Sequence, residues 1–194
     1  TVGPAVVVPR TPEELEAGLL TDVEVNAEFQ NAFVEVPSTA STEQFCGVVP
    51  AATPASQAIR IFTNSTGTAQ LNSAIDRYAT EEDAAAQIAQ DQQFTTLCPS
   101  FTETIAGVEY NVTLAPFGDV VSATLEGQFA AVALVGFGTT DPSQTFSGFI
   151  IVKLDGANIV TIAGYRFGEV FDEIAIERFL SLMVTAFAKA GSVR

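Results

Sequence analysis

Any chemistry in this chain has to be built without histidine, from two cysteines (Cys46 and Cys98), the lysines Lys153 and Lys189, and 23 acidic side chains. A serine or cysteine nucleophile of the common kind needs an imidazole base beside it. That class is excluded, and neither lysine lies in a motif that pairs it with a serine. Carboxylates remain. A pair such as Glu109 and Glu126 could act as acid and base in a glycosidase-like hydrolase, although acidic residues on the outer sides of strands ordinarily serve as solvated surface. Glu81-Glu82-Asp83 and Asp172-Glu173 could hold calcium weakly, but both open helices, where negative charge complements the dipole, and neither has EF-hand spacing. Neither a GxGxxG fingerprint nor a P-loop is present, and Gly136-Phe137-Gly138 is a lone glycine pair at a strand end. No catalytic residue, cofactor or metal is therefore expected. Two sequons, Asn64-Ser65-Thr66 and Asn111-Val112-Thr113, matter only in a secretory host.

The cysteines are too few for a structural zinc site without histidine. They are either a disulfide or two unrelated buried thiols. A disulfide would close a loop of 52 residues, contribute about 4 kcal/mol through loop entropy, and persist outside the cytoplasm. In QFTTLCPS (93–100), Pro99 cannot continue a helix and restricts Cys98 to an extended conformation. On the disulfide reading the stretch is a helix end that presents Phe94 to the core and Cys98 to Cys46, a staple and not a nucleophile.

The formal charge of −15 argues against nucleic acid, which needs clustered Lys and Arg, and disfavours anionic membrane surfaces. A cation is the better electrostatic partner. No apolar run reaches the roughly 18 to 20 residues of a membrane helix, and TVGPAVVVPR carries no leader pattern, so the chain as given is not membrane-spanning.

The elements that must position these residues read as follows. An extended segment over 1–11 precedes a single domain over 12–194. Thr11 as N-cap and Pro12 at the first helical position open a helix from about 12 to 20. Residues 31–36 read as a strand, 37–41 as a turn and 57–62 (QAIRIF) as a strand. Thr80 caps a weakly apolar helix reaching about 95. Val108–Leu114 alternates, and 120–126 reads as a second half-buried strand. The segments 129–137 and 148–154 are apolar on both faces, as central strands are. Asp155-Gly156 turns into a strand over 159–166, 138–147 is a long flexible-looking loop, and a helix from about 172 to 189 closes the chain. This is an α+β fold: an antiparallel sheet of about five to six strands with three main helices, mainly on one face. If the N-terminal third does not cover the second face, part of that face is an open apolar cleft. Arg60 and Arg166 fall in register with packing residues, as ion-pair partners or as anion-recognising groups at a cleft edge.

The early helix ending Gly18-Leu19-Leu20-Thr21-Asp22, Cys46 in an extended segment, the strand QAIRIF, the helix TEEDAAAQIAQ, Cys98, a strand meander and the closing helix DEIAIERFLSLMVTAFAKA together resemble the PknH-like extracellular sensor domain family of actinobacterial kinases and lipoproteins. The resemblance runs from about residue 12 to the end. It implies an extracytoplasmic domain, secreted or lipid-anchored, with a cleft for a ligand and no catalysis. The kinase-type domain has a second cysteine pair, absent here, and a tryptophan before the cysteines where this chain has Phe45 and Leu97. The expected function is a non-enzymatic, sensor-like domain of the cell envelope that binds a small molecule, lipid or glycan, with Arg60, Phe137, Phe149 and Arg166 as candidate ligand contacts. The alternatives are an interaction module that docks an envelope protein through an exposed strand face, and a carboxylate hydrolase.

Overall fold

A computed structural model describes residues 10–29, 33–38, 45–105, 107–169, 171 and 173–193. The extended segment expected over 1–11 lies outside the described residues except for Arg10 and Thr11, and so do parts of the expected 31–36 strand and 37–41 turn. In chain order the elements are α1 (Pro12–Glu16), α2 (Asp22–Phe29), β1 (Val34–Val36), β2 (Ser56–Thr63), β3 (Ala69–Arg77), α3 (Glu81–Asp91), α4 (Phe94–Leu97), β4 (Ser100–Ile105), β5 (Val108–Pro116), α5 (Gly118–Ser122), β6 (Phe129–Gly138), β7 (Thr145–Asp155), β8 (Asn158–Phe167) and α6 (Glu173–Ala190).

The strands form one sheet in the order β1-β2-β3-β8-β7-β6-β5-β4, antiparallel at every pairing. The α+β class holds. The count of five to six strands and three main helices does not: among the described residues there are eight strands and six helices. Polar residues account for most of the shortfall. In β3 the inward set Leu71, Ser73, Ile75 is interrupted by a serine, yet Ser73 is buried because its Oγ accepts the Leu20 N–H at 3.2 Å. β4 is an edge strand that pairs with β5 alone, and its sequence, SFTETI, reads as surface. α2 buries only Val25, and its first turn is held by Thr21 and Glu24, whose carboxylate accepts from the Thr21 N–H at 2.8 Å.

Further expectations fail locally: the helix expected over about 12–20 ends at Glu16, and the one expected to reach about 95 ends at Asp91, ahead of the separate α4. The segment 120–126 is not a strand: α5 and the turn after it place Val121 and Leu125, four residues apart, into the core. The loop expected over 138–147 shrinks to 139–144, tightened by Asp141, whose carboxylate accepts from the Ser143 N–H at 3.0 Å and from its hydroxyl at 2.6 Å. By contrast α1 begins as expected. Thr11 caps Glu14 and Glu14 returns the bond to the Thr11 N–H, a capping box.

One face of the sheet carries the main core. Phe62, Leu71, Phe149, Ile151 and Ile162 pack against Phe179, Leu182 and Met183 of α6, joined by Leu20 and Val25 from the N-terminal segment. Leu15 and Leu19 extend it over Ala58, Ile75 and Val160. Gly164 lies under α6, and a Cβ there would meet the Phe179 ring at 2.9 Å. A Lys189–Glu24 ion pair at 2.9 Å ties α6 to α2. The N-terminal helices thus cover the α6 face, and the opposite face is left to α3, α4 and the 49–54 segment.

Candidate functional site

On that opposite face the sheet presents Ile59 and Gln57 from β2, Ala74 and Asp76 from β3, Ile159 and Thr161 from β8, Ile150 and Val152 from β7, and Ala130 and Val132 from β6. α3 cannot cover this breadth. Its buried apolar residues are Ala84 and Ile88, which pack on Tyr78, Ala130 and Ile159. What remains is a cleft of about 670 Å³ between the sheet, the C-terminal half of α3, Phe94 of α4 and the 49–54 segment. That volume falls in the range of small-molecule sites, roughly 300–1,000 Å³.

The 49–54 segment forms one wall and is strapped to α3 by two glutamines. The Ala51 N–H donates to Gln90 Oε1 at 2.8 Å, Gln90 Nε2 donates to the Val49 carbonyl at 2.9 Å, and the Ala52 N–H donates to Gln87 Oε1 at 3.3 Å. The base of the strap is pinned by a disulfide between Cys46 and Cys98, with Cα atoms 6.0 Å apart. Cys98 is buried at the end of α4 with φ −139° and ψ 73°, so it leaves the helix as Pro99 requires but does not take the fully extended backbone expected of it, and its N–H donates to the Phe94 carbonyl at 2.8 Å. Cys46 has φ 56° and Gly47 φ 66°, a left-handed pair that turns the chain into the strap.

The polar groups of the cleft are few. Asp76 accepts from Gln57 Nε2 at 2.7 Å, and Asp91 accepts from Gln87 Nε2 at 2.8 Å. Burial raises the Asp76 carboxyl above its ordinary range against the opposing Gln57 bond. Burial also lifts Asp91, to about 6, with the Asp76 charge adding to the rise and the Gln87 bond opposing it. Tyr78, between them in this electrostatic sense, is pushed up by burial and by both carboxylates. Among the described lining residues no lysine or arginine is present. Two carboxylates lining one cleft, with no lysine or arginine among its described lining residues, can bind hydrogen-bond donors or cations or act as an acid/base pair. Among the described residues no group of three or more His, Cys, Asp or Glu side chains could hold a metal ion.

The four candidate contacts read from sequence lie on the other face. Arg60 donates from Nη1 to the Leu20 carbonyl at 3.2 Å and pairs with Glu35 at 3.7 Å. Phe149 is buried in the α6 core, stacked on Phe117 with ring centres 4.4 Å apart. Arg166 sits 5.7 Å from the Phe171 ring centre and 3.6 Å from Glu169. Phe171 also touches Phe149, which brings Arg166 and Phe149 to one cluster, while Phe137 is half-exposed at the hairpin end of β6. Glu109 accepts from Thr139 at 2.8 Å, and the strand expected to display Glu126 is absent. Sequence reading missed Asp76, Asp91, Gln57 and Gln87. One signal was available: an aspartate in the last turn of a helix opposes the dipole, and α3 ends on Asp91 with no basic residue to offset it.

No protein-family profile and no curated protein sequence matches this chain. Among solved structures it is similar to the extracellular domain of PknH from Mycobacterium tuberculosis, with a TM-score of 0.59 at 13% identity over 98% of this chain and 100% of that one. At that identity the likeness is one of fold: it supports a distant structural relationship to the domain that the sequence resembles. A second structure, CalU16 from Micromonospora echinospora, aligns over 70% of this chain and 93% of its own at 10% identity with a TM-score of 0.29. That likeness carries no argument.

Proposed function

We propose that this chain is a non-enzymatic, extracytoplasmic ligand-binding domain of sensor-like type, secreted or lipid-anchored at the cell envelope, with the cleft beneath the 49–54 strap as its binding site. The disulfide and the fold shared with an extracellular domain support the location. The observation that carries the function is the cleft itself: an apolar sheet floor left open by a helix too polar to cover it, with a few inward polar groups at one end. A thermal-shift survey with lipids, glycans, amines and divalent ions tests it, paired with Ile150→Trp to fill the floor. The expected result is stabilisation by one class that the tryptophan variant removes. Silence from every class sinks the proposal.

A carboxylate hydrolase gains one specific observation, since Asp76 and Asp91 line one pocket and the Asp76 charge adds to the rise of the Asp91 carboxyl. It predicts turnover of chromogenic glycosides that Asp91→Asn abolishes. An interaction module draws on Phe137 and Val135, 50% and 39% exposed on one face of β6. It predicts capture of an envelope protein that Phe137→Glu prevents.

A further inference from the structure

The cleft carries charge of one sign. Asp76 and Asp91 are the charged side chains among its described lining residues, in a chain with 23 acidic and 8 basic residues. Each carboxylate receives a glutamine N–H, which satisfies one lone pair and supplies no charge. Burying a carboxylate against neutral donors is costly, and an apolar residue of similar size would cost less if the site only had to pack. The pair therefore looks toward a counter-charge that arrives with a ligand. Beside it, Ile59, Ile150 and Val152 are half-buried, so the apolar floor is open to the rest of such a ligand. A calcium site would need about six to eight oxygen ligands, which two aspartates and two glutamines already bonded to them do not supply.

Resting on the reading of the cleft as a ligand site, we propose that it takes a protonated organic amine with an apolar body, the ammonium held between Asp76 and Asp91 and the body laid on Ile59, Ile150 and Val152. Gln57 and Gln87 are positioning residues: each holds one carboxylate oxygen and leaves the other for the ammonium. Gln87 also bonds the strap through Ala52, so the wall and one of the two recognition carboxylates, Asp91, are set by one side chain.

Isothermal titration at pH 7.5 with n-octylamine, n-octanol and octanoate separates head from body. Octylamine should bind at least tenfold more tightly than octanol, and octanoate more weakly than either. Asp76→Asn and Asp91→Asn should each cost octylamine tenfold or more while octanol is unchanged, which also reports that the variants are folded. The exposed Asp119→Asn should change nothing. Equal binding of amine and alcohol, preference for octanoate, an undiminished preference in the asparagine variants, or displacement of octylamine by millimolar calcium chloride would each overturn the amine assignment. If octanol still binds and Ile150→Trp blocks it, the cleft reading survives that loss. If no probe binds, both fall.

Discussion

Asp91 shows how a single residue links the cleft to the stability of the whole fold. Its folded-state carboxyl titrates at about 6, above the range of an exposed aspartate, about 3.9. The native state therefore holds a proton that the unfolded chain has released between those values, and stability falls as pH rises through that window. The upper limit is about 3 kcal/mol, reduced by solvent screening of a half-buried group. Asp91→Asn should raise Tm at pH 7.5, leave it near the wild-type value at pH 4 and flatten the slope between, as read by calorimetry across pH. Asp76 acts in the same direction. On the other face, Phe149 and Phe137 were paired by sequence as candidate contacts, yet they differ in burial, 7% against 50% exposed. Phe149→Lys should unfold the domain, whereas Phe137→Lys should change the unfolding free energy by less than about 1 kcal/mol. Two apolar residues in neighbouring strands look alike in sequence because the side that α6 covers is decided by α6.

Among the elements, the strap and α3 depend on each other. The Cys46–Cys98 bond closes a 52-residue loop around β2, β3 and α3, which by loop entropy contributes about 4 kcal/mol. Reduction, or Cys46→Ser with Cys98→Ser, should lower the denaturant midpoint by a corresponding amount. It should also weaken cleft ligands, because the 49–54 wall then loses its covalent tie and keeps only its glutamine contacts, the packing of Ala52 and the Ala55 N–H bond to the Arg77 carbonyl. Comparable losses of stability with undiminished ligand affinity would show the strap to be independent of the disulfide. α6 and β8 approach closely at Gly164, where an added Cβ lies 2.9 Å from the Phe179 ring. Gly164→Ala should cost about 1–3 kcal/mol by overpacking, measured by urea unfolding.

Taken as a whole molecule, the chain joins a sheet that has a dry face and a half-open one to a surface of strongly negative charge. A net charge of −15 destabilises the compact state through self-repulsion. Raising sodium chloride from about 10 mM to about 200 mM shortens the Debye length from roughly 30 Å to under 10 Å. Tm should rise over that range and then level off, a measurement that separates the general charge from the local effect at Asp91. The same field favours a cationic ligand approaching the cleft and disfavours an anionic one. Among the described residues no helix is long and apolar enough to cross a membrane.

Much of this architecture was legible in the chain. The two-sided apolar runs of β6 and β7 marked the central strands, the alternation of Val108, Tyr110, Val112 and Leu114 marked one inward face, and the four-residue recurrence of Phe171, Ala175, Phe179, Met183 and Phe187 marked the closing helix. Those signals are local periodicities, set by how successive side chains project from a strand or a helix. Even the weakness of α3 and the open face it leaves could be read from its alanines. Pro99 marked the end of the helix before Cys98, though not the ψ of 73° found there, and the bond to Cys46 required the chain to fold back over 52 positions. Only the tertiary structure decided that the N-terminal helices cover the α6 face, that β3 hides a serine in its inward row, and that Asp76 and Asp91 meet in one cleft. Each of these depends on contacts between residues far apart in sequence, where no local pattern carries the information.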